Sequence, residues 1–189
     1  MSNAFSYLIT TLLDMYVLAV LLRLLISFGR PDSRNPLIMT LGKLTNPLVP
    51  PTRRFVPPIG TLDTATLVVL LMLQILASAI LVNSSCMGAT LGQIMLFALV
   101  RLIDVVLMLY FWLLIAYVVA SWIKPGESMR AAIALLTAII EPVLDPLRRI
   151  VPVMGGLDLS PIFAFIAIGF LQRLIPPAEH VAGVVCLTL

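Results

Sequence analysis

Histidine is almost missing from this chain, and cysteine nearly so. One histidine, His180, and two cysteines, Cys86 and Cys186, stand among 189 residues. A zinc site normally draws about four ligands from Cys, His or carboxylate, and the sequence holds no close-spaced cluster of them. It also lacks a Gly-rich phosphate loop and a nucleophile–base pair at motif spacing, so no enzyme class has support and no cofactor is expected. Charged residues make up 11%, where soluble domains carry about 25%. The net charge of +3 is too small to point to nucleic acid. No polar stretch is long enough to form a domain of its own.

Apolar side chains fill the space instead. They make up 61% of the chain, and the mean hydropathy is +1.12. A bilayer is the solvent that tolerates such a surplus. Spanning helices need roughly 20 apolar residues. The runs Phe5 to Phe28, Leu62 to Val82, Leu91 to Ile123 and Leu159 to Ile175 are expected to cross. The first reads as a retained helix, because it lacks a basic start and a small-residue cleavage site. The third is longer than one crossing needs; it either tilts, extends into the headgroups or breaks near Arg101. The stretch Val181 to Leu189 is too short to cross and is expected at the interface.

Basic residues gather on alternate connections. Arg30, Arg34, Lys43, Arg53 and Arg54 lie in the first, and Lys124, Arg130, Arg148 and Arg149 in the third. The connection from Asn83 to Thr90 has none. The positive-inside rule then puts the arginine-rich loops in the cytoplasm and both termini outside.

Those two loops are copies. Asn46 to Asp63 and Glu141 to Asp158 match at nine of eighteen positions without a gap, at an offset of 95. Chance would give about one or two. The shared positions include Pro47, Pro51, Arg53, Arg54, Pro57, Gly60 and Asp63 in one copy. Their partners are Pro142, Pro146, Arg148, Arg149, Pro152, Gly155 and Asp158. Upstream, Tyr16, Ser27 and Pro31 align with Tyr110, Ser121 and Pro125 at an offset of 94. The chain therefore divides into a first repeat (1–83), an external linker (84–90), a second repeat (91–177) and an interfacial tail (178–189). Each repeat has two crossings, so the copies share one orientation.

Each connection opens with an amphipathic segment. Asn35 can cap the first and Pro36 suits its first turn. Leu37, Leu41, Leu44 and Leu48 share one stripe, as do Met129, Ile133, Leu136 and Ile140 in the second copy. Both segments are expected to stop before a proline, at Pro47 or Pro142. They either lie in the cytoplasmic interface or pack on their own bundle. Paired guanidinium groups suit phosphate, so Arg53, Arg54, Arg148 and Arg149 are candidate contacts for anionic lipid or a partner. Bonds to helix-end carbonyls, or plain control of topology, are the alternatives. Asp63 and Asp158 read as helix caps rather than catalytic groups.

Asp14, Arg23, Arg101, Asp104 and Arg173 interrupt the crossings. Arg23 lies near the cytoplasmic end and can snorkel. Asp14, Arg101 and Asp104 are expected to form one polar cluster where the halves meet; a proton or ion path is the other reading. Cys86 and Cys186 both fall on the expected outside, where a disulfide is thinkable, although isolated cysteines in apolar surroundings are more often simply buried.

The doubled Pro-x3-Pro-x-Arg-Arg loop, with Ser121-Trp122 ending the third crossing and Asp158-Leu-Ser-Pro161 opening the fourth, resembles the YggT family. Phe28 in place of tryptophan and Thr61 in place of glycine are mild departures in the first copy. The resemblance implies a bacterial inner-membrane protein without established catalysis, associated with osmotic tolerance, cell division and envelope organisation. The expected architecture is an all-α membrane protein of about four transmembrane helices, arranged as two parallel-repeat hairpins. Each hairpin carries an interfacial helix and a Pro/Arg loop. The expected role is a non-enzymatic scaffold or assembly factor that binds membrane lipids with anionic headgroups and a membrane protein partner, and that could form a homo-oligomer. The alternative is a small oligomeric channel or transporter component.

Overall fold

In a computed structural model the described residues are 2–29, 35–58, 63–85, 89–122, 126–150 and 158–183. They form α1 (Ser2–Gly29), α2 (Pro36–Thr45), α3 (Val49–Arg53), α4 (Thr64–Ser85), α5 (Leu91–Trp122), α6 (Glu127–Ile150), α7 (Ser160–Leu174) and α8 (Ala178–Ala182). Cys86, Cys186, Gly60, Pro152 and Gly155, together with Arg30, Arg34 and Lys124, lie outside the described residues.

Among the described residues three helices have the length and apolarity to cross a membrane: Ala4–Gly29, Thr64–Ser84 and Leu91–Trp122. The chain is therefore a multi-pass membrane protein. Of the alternatives for the third run, the break near Arg101 does not occur: α5 runs unbroken for 32 residues, about 48 Å at 1.5 Å per residue. Its start is a capping box: the Thr90 N–H donates to Gln93 Oε1 (2.9 Å), and the Gln93 N–H to Thr90 Oγ1 (3.4 Å). The fourth apolar run forms only the 15 residues of α7, about 22 Å, short of a hydrocarbon core of about 30 Å.

The C-terminal half of α1 packs on the N-terminal half of α4. Val17, Val20, Leu21 and Leu24 meet Val69, Leu70 and Leu73 in one core, so the two helices run antiparallel. The second core repeats the scheme with Leu114 from α5, Ile140 and Leu144 from α6, and Ala164 and Ile168 from α7. The same repeat positions are buried in both. Val49 matches Leu144, Val69 matches Ala164 and Leu73 matches Ile168 at the offset of 95. The two loops thus share one end of the bundle. At the other end Ala178 and Ala182 of α8 cover Ile94, Phe97 and Val100 of α5, so the described part of the tail is docked on the bundle.

One expectation fails. The first amphipathic segment ends at Thr45, two residues before Pro47, but its counterpart continues through Pro142 and Pro146 to Ile150. A proline inside a helix loses one N–H and orphans the carbonyl four residues earlier. For Pro142 that carbonyl belongs to Ala138, and it abuts α1 at Gly29, where an added Cβ would stand 2.0 Å from the oxygen. The helix tolerates the proline because α6 is held along its length by α1, α5 and α7. A neighbouring tie comes from Asn35. It caps α2 through Oδ1 (Leu37 N–H, 2.9 Å) and donates from Nδ2 to Ala131 O of α6 (2.7 Å). Both α2 and α6 therefore pack on the bundle.

Candidate interaction site at the arginine end of the bundle

In each half the first arginine of the pair bonds the aspartate ten residues later. Arg53 Nη2 meets Asp63 Oδ2 at 2.5 Å, and Arg148 Nε meets Asp158 Oδ2 at 3.0 Å. Asp63 stands at the start of α4, whereas Asp158 lies one residue before Leu159, the N-cap of α7, which makes no side-chain cap bond, so the expected cap at Asp158 is displaced by one residue. Asp63 accepts from Thr66 Oγ1 (2.6 Å) and, more weakly, from the Thr66 N–H (3.4 Å). Asp158 Oδ1 accepts from the Ser160 N–H at 2.9 Å. Each carboxylate therefore pins a helix N-terminus to the end of the proline segment before it. Among the described residues neither first arginine bonds a helix-end carbonyl; each meets the aspartate, and Arg148 also meets Tyr117 and, at 3.7 Å, Asp145.

The electrostatics follow this geometry. Burial by itself would raise the Asp63 carboxyl, but the Arg53 and Thr66 hydrogen bonds outweigh it and hold the group below its ordinary value. Burial likewise opposes Asp158, and its bonds to Ser160 and Arg148 prevail, again lowering it. Arg148 is raised: burial is overcome by its bonds to Asp158 and Tyr117.

The second arginines differ. Arg54 and Arg149 are exposed, and their side chains have no ion pair or hydrogen bond among the described residues. The prolines set the local path. Pro47 lies in the turn after α2, Pro51 sits inside α3, and the Pro57 carbonyl accepts from Thr64 Oγ1 at 2.6 Å.

Bracing of the clamps is not the same in the two halves. Arg23 reaches from α1 to Thr45 Oγ1 (2.5 Å) and Asn46 Oδ1 (3.0 Å), and the Tyr16 hydroxyl donates to Leu44 O (3.2 Å). The position equivalent to Arg23 is Tyr117, which accepts from Arg148 Nη2 at 3.1 Å.

Deeper in the bundle Arg101 Nη2 meets Asp14 Oδ2 at 2.6 Å, joining α1 to α5. Asp104 has no bond to either among the described residues. Asp14 and Arg101 sit on the wall of a groove of about 210 Å³ that is otherwise lined by apolar residues, Trp112 among them. Sequence reasoning missed Gln74 and Ser78. Both are fully buried on α4, and their side-chain polar atoms lack partners among the described residues. Their signal was present: two polar residues four apart in an apolar run share a helix face. His180 is exposed on α8, and Arg173 is exposed near the end of α7.

The model of the CCB3/YggT family matches this chain twice, over residues 2–84 and 96–178. The chain belongs to the CCB3/YggT family. Similar relatives include an uncharacterised protein of Pseudomonas aeruginosa, 35% identical over 93% of this chain and 89% of its own. Another, from Vibrio alginolyticus and described as an uncharacterised protein in the proC 3′ region, is 34% identical over 89% of this chain and 91% of its own. The uncharacterised protein YggT of Escherichia coli K12 is 31% identical over 84% of this chain and 82% of its own. No solved structure matches. The doubled match agrees with the duplication read from the loops.

Proposed function

We propose that the protein is a non-enzymatic scaffold or assembly factor of the bacterial inner membrane, and that the arginine end is its working face. The supporting observation is the duplicated clamp. In both halves Arg53 or Arg148 is consumed in holding the loop, while the side chain of Arg54 or Arg149 is left without a partner among the described residues on the same end of the bundle. In this reading α7 completes a fourth crossing, the loops face the cytoplasm and the termini face outward. Helices α2 and α6 lie at the cytoplasmic boundary, where basic side chains favour an anionic leaflet. A membrane partner docks there, which suits a role in envelope organisation. Photo-crosslinkers placed at Thr52 and Leu147, beside the two arginine pairs, test this in native membranes. A discrete protein adduct from both positions is expected; the lack of any protein adduct from either would overturn the reading.

A channel or transporter component is the second reading. It is favoured by the Asp14–Arg101 pair and the unpartnered Gln74 and Ser78 inside the bundle. Ion flux into liposomes carrying the purified chain, abolished by Asp14→Asn or Asp104→Asn, would select it over the scaffold.

A further inference from the structure

The residue that follows each unpaired arginine is apolar and stands almost fully exposed. Phe55 is 86% exposed and Ile150 is 77% exposed, and they occupy equivalent positions of the two repeats. A large exposed apolar side chain is ordinary when it stands alone. The same arrangement in two copies, each beside a free guanidinium on one end of a membrane bundle, calls for a common cause. Successive helical residues point about 100° apart. Arg53 and Arg54 both have helical backbone at the end of α3, and Arg148 and Arg149 lie in α6. Fixing the first arginine on its aspartate therefore turns the second away from the clamp. Trp122, at the same end of the bundle, is 83% exposed, as expected of an aromatic ring at headgroup level.

We infer that Arg54 with Phe55, and Arg149 with Ile150, form two equivalent anchors, each holding the phosphate of one anionic phospholipid while its apolar side chain enters the acyl–glycerol boundary. A guanidinium presents paired donors that match phosphate oxygens. The adjoining apolar side chain has a use only if that phosphate belongs to a lipid, so the occupant is a phospholipid and not free phosphate. Arg53 and Arg148 are positioning residues in this scheme. The inference rests on the scaffold reading's placement of this end at the anionic leaflet. It is judged by lipid selectivity, whereas that reading is judged by protein cross-links.

The test uses the full chain in nanodiscs of phosphatidylcholine with or without phosphatidylglycerol, with bound lipid counted by native mass spectrometry. Phosphatidylglycerol is expected to be preferred. The single changes Arg54→Gln and Arg149→Gln should each weaken one of the two lipid sites about fivefold and leave the other intact, and the double change should weaken both about fivefold. Millimolar inorganic phosphate should not compete. In a Trp112→Phe, Trp122→Phe background, fluorescence from a Phe55→Trp reporter should be quenched by brominated phosphatidylglycerol and shielded from aqueous acrylamide. An unchanged preference in the double variant would overturn the inference. So would effective competition by free phosphate.

Discussion

The two halves keep one device and differ in nearly everything that supports it. Both tie the first arginine of the pair to an aspartate ten residues on, and in both that aspartate accepts a hydrogen bond from the first turn of the next helix. In the first half the approach is broken into α2, a turn and α3. An arginine from α1 secures the turn through Thr45 and Asn46. In the second half the approach is the single helix α6, and a tyrosine from α5 holds the clamp arginine directly. The clamp sets the geometry of this end, and its bracing can be exchanged between a cation on a hydroxyl and a phenol on a cation.

The comparison breaks most severely where the halves touch. Gly29→Ala places a methyl carbon against the Ala138 carbonyl and should cost about 3 kcal/mol in detergent-solubilised unfolding. Gly42→Ala meets open space on α2 and should gain about 0.5–1 kcal/mol by removing backbone freedom from the unfolded chain. The clamps come next. Asp63 is 11% exposed and Asp158 33% exposed, so Asp63→Asn should cost about 2 kcal/mol and Asp158→Asn about half as much. Equal costs would mean that burial does not distinguish the halves.

The clamps also fix an acid limit. Both carboxyls lie below their unfolded values, about 3.8–3.9. Their contribution is complete above that pH and is lost as pH falls through the lower folded values. Melting temperature should therefore drop below about pH 4, and the Asp63→Asn, Asp158→Asn double variant should flatten that drop.

The pair inside the bundle ranks third. Asp14→Asn and Arg101→Ala should be non-additive by about 1 kcal/mol in a double-mutant cycle. Additivity would remove the ion pair as a link between α1 and α5. The smallest effect belongs to Tyr117→Phe, about 0.5–1 kcal/mol, from one lost bond to Arg148.

Much of this was legible beforehand. The loop copies set the register at 95, the apolar runs located the helices, and Asn35 and Asp63 carry the side-chain chemistry of caps, whereas Asp158 lies one residue before the cap position of α7. Which arginine of each pair meets the aspartate was not legible. Arg53 and Arg54 are chemically identical neighbours, and only the backbone at the end of α3 decides which one faces α4. The passage of α6 through two prolines was hidden for a similar reason. Proline reports a lost donor, whereas the compensating contacts come from α1, α5 and α7, far away in sequence. The docking of α8 on α5 depends on two alanines, Ala178 and Ala182, too small to announce a core.

The Gly29–Ala138 approach bears on descent. A chain built by doubling one unit begins with two self-sufficient halves. Here a carbonyl orphaned by a proline of the second half lies against a glycine of the first, and Asn35 of the first half bonds a carbonyl of the second. Each copy has become part of the other's interior. Losing either half would expose the Ala138 carbonyl or leave Asn35 without its partner on α6, so the doubled unit now holds together by packing between its copies.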